Sequence, residues 1–215
     1  MPNRRYFYAT LAIAVVIFIA CVLMAGPMRP GLPVVAELSA RTAYIQSNLG
    51  WWQIGWGFWM LSALGLLLFC SLLATALPQT PMRGFGLTLV ALGLVPDLIA
   101  EVLYAFVFPA MLSAGSSAEI LHFIDQTALH LTGFLGNGLY NLGGLVLTVL
   151  LLNHRPALKL WLYPGVVAWL AGLGLSVAIM MQQFGLAEIL TAFSMALSTF
   201  WFVLIAYRLW VKADV

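Results

Sequence analysis

Apolar residues run along this chain in long blocks with few interruptions, and the blocks near or above 20 residues are its dominant pattern. At 1.5 Å per residue an α-helix of that length crosses roughly 30 Å of hydrocarbon. A transmembrane β-barrel would need alternating strands of about ten residues, and stretches such as Leu66–Phe69 and Leu145–Asn153 do not alternate. The pattern predicts an all-α, polytopic integral membrane protein: a single transmembrane domain over residues 1–215 with six spans. Their bounds fall at about 6–25, 51–77, 84–110, 123–152, 160–181 and 186–210. Prolines mark several ends, with Pro27, Pro30 and Pro33 after the first span and Pro78 and Pro81 after the second. The segment 26–50 is the one sizeable loop, and its 34–41 portion has the pattern of a short amphipathic helix lying at the outer interface.

Composition agrees. Hydrophobic residues make up 63% of the chain and charged residues 7%, with a mean hydropathy of +1.03. Soluble domains carry about a quarter charged residues. Orientation follows from the retention of Lys and Arg on the cytoplasmic side. With both termini inside, that side holds Arg4, Arg5, Arg83, Arg155, Lys159, Arg208 and Lys212, against Arg29 and Arg41 outside. The expected location is a plasma membrane of bacterial type, N-in and C-in. A net charge of +2 from scattered basic residues leaves no nucleic-acid footprint. Partners are the bilayer itself, a small-molecule or lipid ligand, and further copies or subunits of a membrane complex.

Trp51, Trp52 and Trp56 at one end, and Trp161, Trp201 and Trp210 at the other, fit interfacial belts. Trp59 and Trp169 lie deeper, where packing is the simpler role and stacking on a ligand the rarer one. The first span also has a second reading as a signal peptide cleaved before a lipidated Cys21, against which the residues to Met24 stay apolar.

Candidate chemistry lies where lipid should reject a side chain. Asp97 and Glu101 fall in the third span and His130 in the fourth, so each must face protein or water. Asp97 and Glu101 are one helical turn apart, with Tyr104 near the same stripe. Two carboxylates that close cannot both ionise cheaply in a low dielectric. Along the fourth span His130, Asn137, Asn141 and Thr148 share a face, among glycines that let another backbone approach closely. Counted from the outer ends, Glu101 and His130 lie about 12 and 10 Å deep, and Asp97 and Asn137 about 18 and 21 Å deep. Antiparallel third and fourth helices would then carry a polar ladder, Glu101 beside His130 and Asp97 beside Asn137. Pro96 adds a freed carbonyl at Leu92 and an expected kink.

These residues suggest an outward-opening pocket that binds or transports a small cation, a proton-coupled solute or an amphipathic molecule. The alternatives are a lipid-modifying enzyme of isomerase type, with Glu101 or Asp97 as acid or base and His130 as partner, and an accessory or assembly subunit. The sequence has no HExxH, CxxC or GxSxG. One Glu-x-x-His, Glu119 to His122, falls short of a di-iron pair. A single histidine, His122 or His130, is enough for one axial bond to a haem or chlorophyll. Asp125 sits where it would cap the fourth helix.

Overall fold

The computed structural model describes residues 3–33 and 37–212, and among these there is no strand. Six helices are long and apolar enough to span a membrane: α1 (Arg4–Ala25), α3 (Leu49–Ala74), α4 (Pro81–Ser113), α5 (Ala118–His154), α6 (Lys159–Met180) and α7 (Phe184–Trp210). A seventh, α2 (Leu38–Ser47), covers the helical part of the loop after α1. The sequence pattern places an amphipathic helix over 34–41, of which 34–36 lie outside the described residues.

Short connections make α3 to α7 successively antiparallel, and the Arg29–Glu188 contact places the end of α1 beside the start of α7, so α1, α4 and α6 run opposite to α3, α5 and α7. The chain termini mark one end of the bundle, here the terminal end. Residues 26–48 and the turns at 114–117 and 181–183 mark the other, the loop end.

The spans at 84–110 and 123–152 are longer in the structure than the apolar pattern alone indicates. Pro81 occupies the first turn of α4, where its missing N–H leaves no bond unmade, and the Thr80 side chain caps that helix by accepting from Arg83 N–H. Ser117 caps α5. Both helices contain a π-helical turn, Leu103–Val107 in α4 and His130–Gly136 in α5. Helical structure continues through Pro96.

Glycine decides how closely α4 and α5 pack. A Cβ on Gly93 would lie 2.7 Å from Tyr140 N and 2.8 Å from Gly136 O, and one on Gly143 would lie 2.5 Å from Gly86 O. The two backbones therefore touch at two levels seven residues apart on each helix, an approach that only small residues permit. Asp97 Cβ sits 3.1 Å from the position a Cβ on Gly136 would take, so this crossing fixes the acid against α5.

The tryptophans correct the belt expectation. Trp51 is 55% exposed, but Trp52, Trp56, Trp201 and Trp210 are buried. Trp52 Nε1–H donates to Tyr104 O at 2.7 Å, and Trp201 Nε1–H donates to Trp161 O at 2.9 Å. An indole fills a gap between helices well once its N–H has a partner. Trp169 is likewise a packing residue, seated on Gly144 and donating to Thr148 Oγ1 at 2.8 Å.

Candidate functional site

At mid-height of the bundle a small cavity of about 60 Å3 is lined by Asp97 of α4, Asn137, Tyr140 and Asn141 of α5, Ser62 of α3, and Ser194 and Ser198 of α7. The Thr132 hydroxyl donates to Asp97 Oδ1, which leaves Oδ2 without a protein partner among the described residues. Asn141 Nδ2 donates to Asn137 O at 2.8 Å and to Asn137 Oδ1 at 3.1 Å, while Asn137 Nδ2 donates to Thr132 O at 3.3 Å. The Asn141 amide packs where a side chain on Gly172 would stand, so α6 presses it into place.

The serines spend their protons on their own helices. Ser62 donates to Phe58 O at 2.8 Å, Ser194 to Thr191 O at 3.2 Å and Ser198 to Met195 O at 3.2 Å. What remains toward the cavity is mixed: Asp97 Oδ2 and the serine lone pairs accept, while the Tyr140 hydroxyl and the Trp59 indole N–H, which have no hydrogen-bond partner among the described residues, can donate. Asp97 is the one charged residue of the lining, which contains no Lys, Arg or His. A single carboxylate without a basic neighbour favours a cation that carries N–H donors.

A much larger chamber, about 830 Å3, adjoins this pocket toward the loop end. The two share Trp59, Asn137 and Met195 as wall residues. Apolar side chains dominate the chamber, among them Phe18 and Met24 of α1, Leu175 and Ile179 of α6, and Phe200 and Val203 of α7. Trp56, buried and stacked on Tyr104 at 4.8 Å, contributes an indole N–H with no partner among the described residues. Arg29 and Glu188 pair at 3.0 Å at the loop end of the same chamber.

The residues singled out in the sequence separate into two groups. Asp97, Asn137 and Asn141 come together on the small pocket. Glu101, His130 and Tyr104 do not join them there. Glu101 is fully buried, with neither carboxylate oxygen hydrogen-bonded among the described residues. His130 Nδ1–H donates to Gln126 O at 2.8 Å, and no hydrogen bond links it to Glu101. A backbone carbonyl only accepts, so Nε2 is the ring nitrogen left free. Tyr104 lines the chamber, and its hydroxyl donates to Asp125 O at 3.1 Å. His122 is exposed, and neither histidine lines either cavity. Among the described residues no three His, Cys, Asp or Glu side chains group closely enough to hold a metal.

Sequence position suits Asp125 to a helix cap, whereas in the structure Ser117 is the cap and Asp125 is half of a buried ion pair. Arg41 of α2 donates to both carboxylate oxygens, at 2.6 and 2.8 Å, and through Nε to Gly31 O at 2.9 Å. Both side chains are 3% exposed. Thr132 is a site residue that sequence reasoning misses, since nothing in the sequence sets it apart from other hydroxyls in apolar helices. The serines of α7 look like packing residues in the sequence, and the structure places two of them on the cavity.

Comparison with protein-family models, with curated proteins and with solved structures finds no match.

Proposed function

We propose that this is a multi-pass membrane protein, with both termini cytoplasmic, that binds an amphipathic amine. The ammonium head occupies the small pocket at Asp97 and the apolar body occupies the chamber. The orientation rests on seven basic residues at the terminal end against Arg29 and Arg41 at the loop end. On that reading the chamber lies in the outer half of the membrane.

One observation carries the proposal: a pocket centred on a single carboxylate, with no basic residue in its lining, shares three wall residues with an apolar space large enough for a ligand body. Pockets that enclose small molecules measure about 300–1,000 Å3, are mostly apolar, and carry a few placed polar groups. The chamber fits that size range. About 10–15 Å3 of such volume holds one water, so the small pocket has room for a few groups of that size, enough for an ammonium and its first methylenes. Trp59 at the junction adds an aromatic ring, a surface that attracts ammonium groups. Two of the nearby donors are already engaged, Thr132 on Asp97 and Asn141 Nδ2 on Asn137, which leaves the Asp97 carboxylate as the group that distinguishes the pocket. Acid–base catalysis by a Glu101–His130 pair has no comparable support, since no hydrogen bond joins them.

Thermal melting in lipid nanodiscs tests the head-group preference. Decylamine should raise the melting temperature of the protein, while decanoate and ethylamine should not, because one lacks the donor and the other the apolar body. Equal shifts with decylamine and decanoate would remove the basis for a carboxylate-selected head group.

A further inference from the structure

The chamber reaches the outside between two helices as well as at the loop end, where the half-exposed Arg29 and Glu188 line it. Phe18 of α1 and Phe200 of α7 both line it, and each is 63% exposed. A side chain does both only where the wall it belongs to is open. Ala192 and Ala196, also lining the chamber, continue this rim along α7.

Two ties frame the opening. At the terminal end α1 and α7 meet through Tyr6 against Trp210, with ring centroids 5.7 Å apart, and Phe7 against Tyr207 at 6.1 Å. At the loop end Arg29, just beyond α1, reaches across to Glu188 of α7 at 3.0 Å. Between the ties, residues 18–25 of α1 and 187–203 of α7 contribute opposing parts of the chamber wall.

We infer that this gap is a lateral portal through which a single long alkyl chain enters from the bilayer, with the Arg29–Glu188 pair as its latch. The inference rests on the cavity being a ligand site and names the ligand's class and source: a single-chain lipophilic amine already dissolved in the membrane. Three features favour a chain over water-borne solutes. The rim is made of phenylalanine and alanine, which lipid chains wet and water does not. The wall behind it is apolar along the loop-end half of the bundle, so an alkyl chain is the cheapest filling. The charged pair sits above the opening at the loop end, with both side chains about half exposed, and an ion pair that exposed is weak enough to part readily.

The test uses phosphatidylcholine nanodiscs and hexadecylamine carrying a diazirine at the tail end, with adducts mapped by mass spectrometry after illumination. Wild type should be labelled on chamber residues such as Leu175, Ile179, Met195 and Thr199. Ala196→Trp and Ala192→Trp, substitutions at rim positions, should each reduce that labelling several-fold at unchanged melting temperature. Glu188→Gln should raise it. A tagged propylamine, which stays in water, should label the chamber weakly and respond to none of these changes. Adducts confined to outward residues elsewhere, such as Phe85, Val95 and Phe123, would overturn the portal. So would chamber labelling insensitive to both rim tryptophans. Asp97→Asn reports separately on the head-group reading: if it leaves hexadecylamine labelling intact while the rim variants abolish it, the portal stands and the pocket assignment falls.

Discussion

Arg41 and Asp125 withdraw a full pair of charges from solvent, and the geometry that makes this tolerable is complete. Arg41 uses two donors on the carboxylate and a third on Gly31 O, so its guanidinium is matched on each of its three nitrogens. Removing one partner leaves an unpaired buried charge, which costs about 3–5 kcal/mol, whereas replacing both with apolar residues is often neutral. Arg41→Met and Asp125→Leu should therefore each lower the melting temperature strongly, and the double variant should recover most of the loss. Glu101 is the opposite case. Its carboxyl is buried with no hydrogen bond among the described residues, and a polar group in that condition costs about 1–3 kcal/mol. Glu101→Met, similar in volume, should stabilise the fold by an amount of that order in denaturation measurements. The value of Asp97 is legible in the sequence because a carboxylate in an apolar run stands out. Its partner is not, since Thr132 looks like any small hydroxyl in a helix until the register of two helices is known.

At the scale of elements, the six long helices are readable because hydrophobic length is the one property that the bilayer imposes directly. Matching Asp97 with Asn137 by depth also agrees with their shared place on one cavity, since rise per residue is nearly constant. Pairing Glu101 with His130 by the same count does not survive as a hydrogen bond. Both lie at the edge of a π-helical turn, which adds a residue to the turn and rotates the residues beyond it, and a regular period contains no trace of that rotation. The crossing of α4 and α5 depends on Gly86, Gly93, Gly136 and Gly143. Gly143→Leu should force the helices apart and destabilise the protein by about 1–3 kcal/mol or more, as overpacking does. Gly57→Ala, where a Cβ meets nothing within 4 Å, should leave stability unchanged or raise it. Unfolding curves for the two variants separate glycine as a packing device from glycine as composition.

Across the whole molecule, the bundle holds α1 and α7 together at both ends and leaves a chamber between them. Nothing in the apolar pattern announces such a space, because a phenylalanine facing lipid, core or cavity reads alike in a sequence. The tryptophans show the same ambiguity: those near helix ends are equally suited to an interface and to the packed core where most of them lie. What the structure adds is juxtaposition, an apolar chamber beside a small polar pocket whose one charged residue is a carboxylate. Calorimetric titration of decylamine into nanodisc-embedded wild type and Asp97→Asn tests that arrangement most directly. A charge-assisted hydrogen bond contributes about 1.5–3 kcal/mol, so the substitution should weaken binding by about 10- to 100-fold. An unchanged dissociation constant in Asp97→Asn would contradict the account.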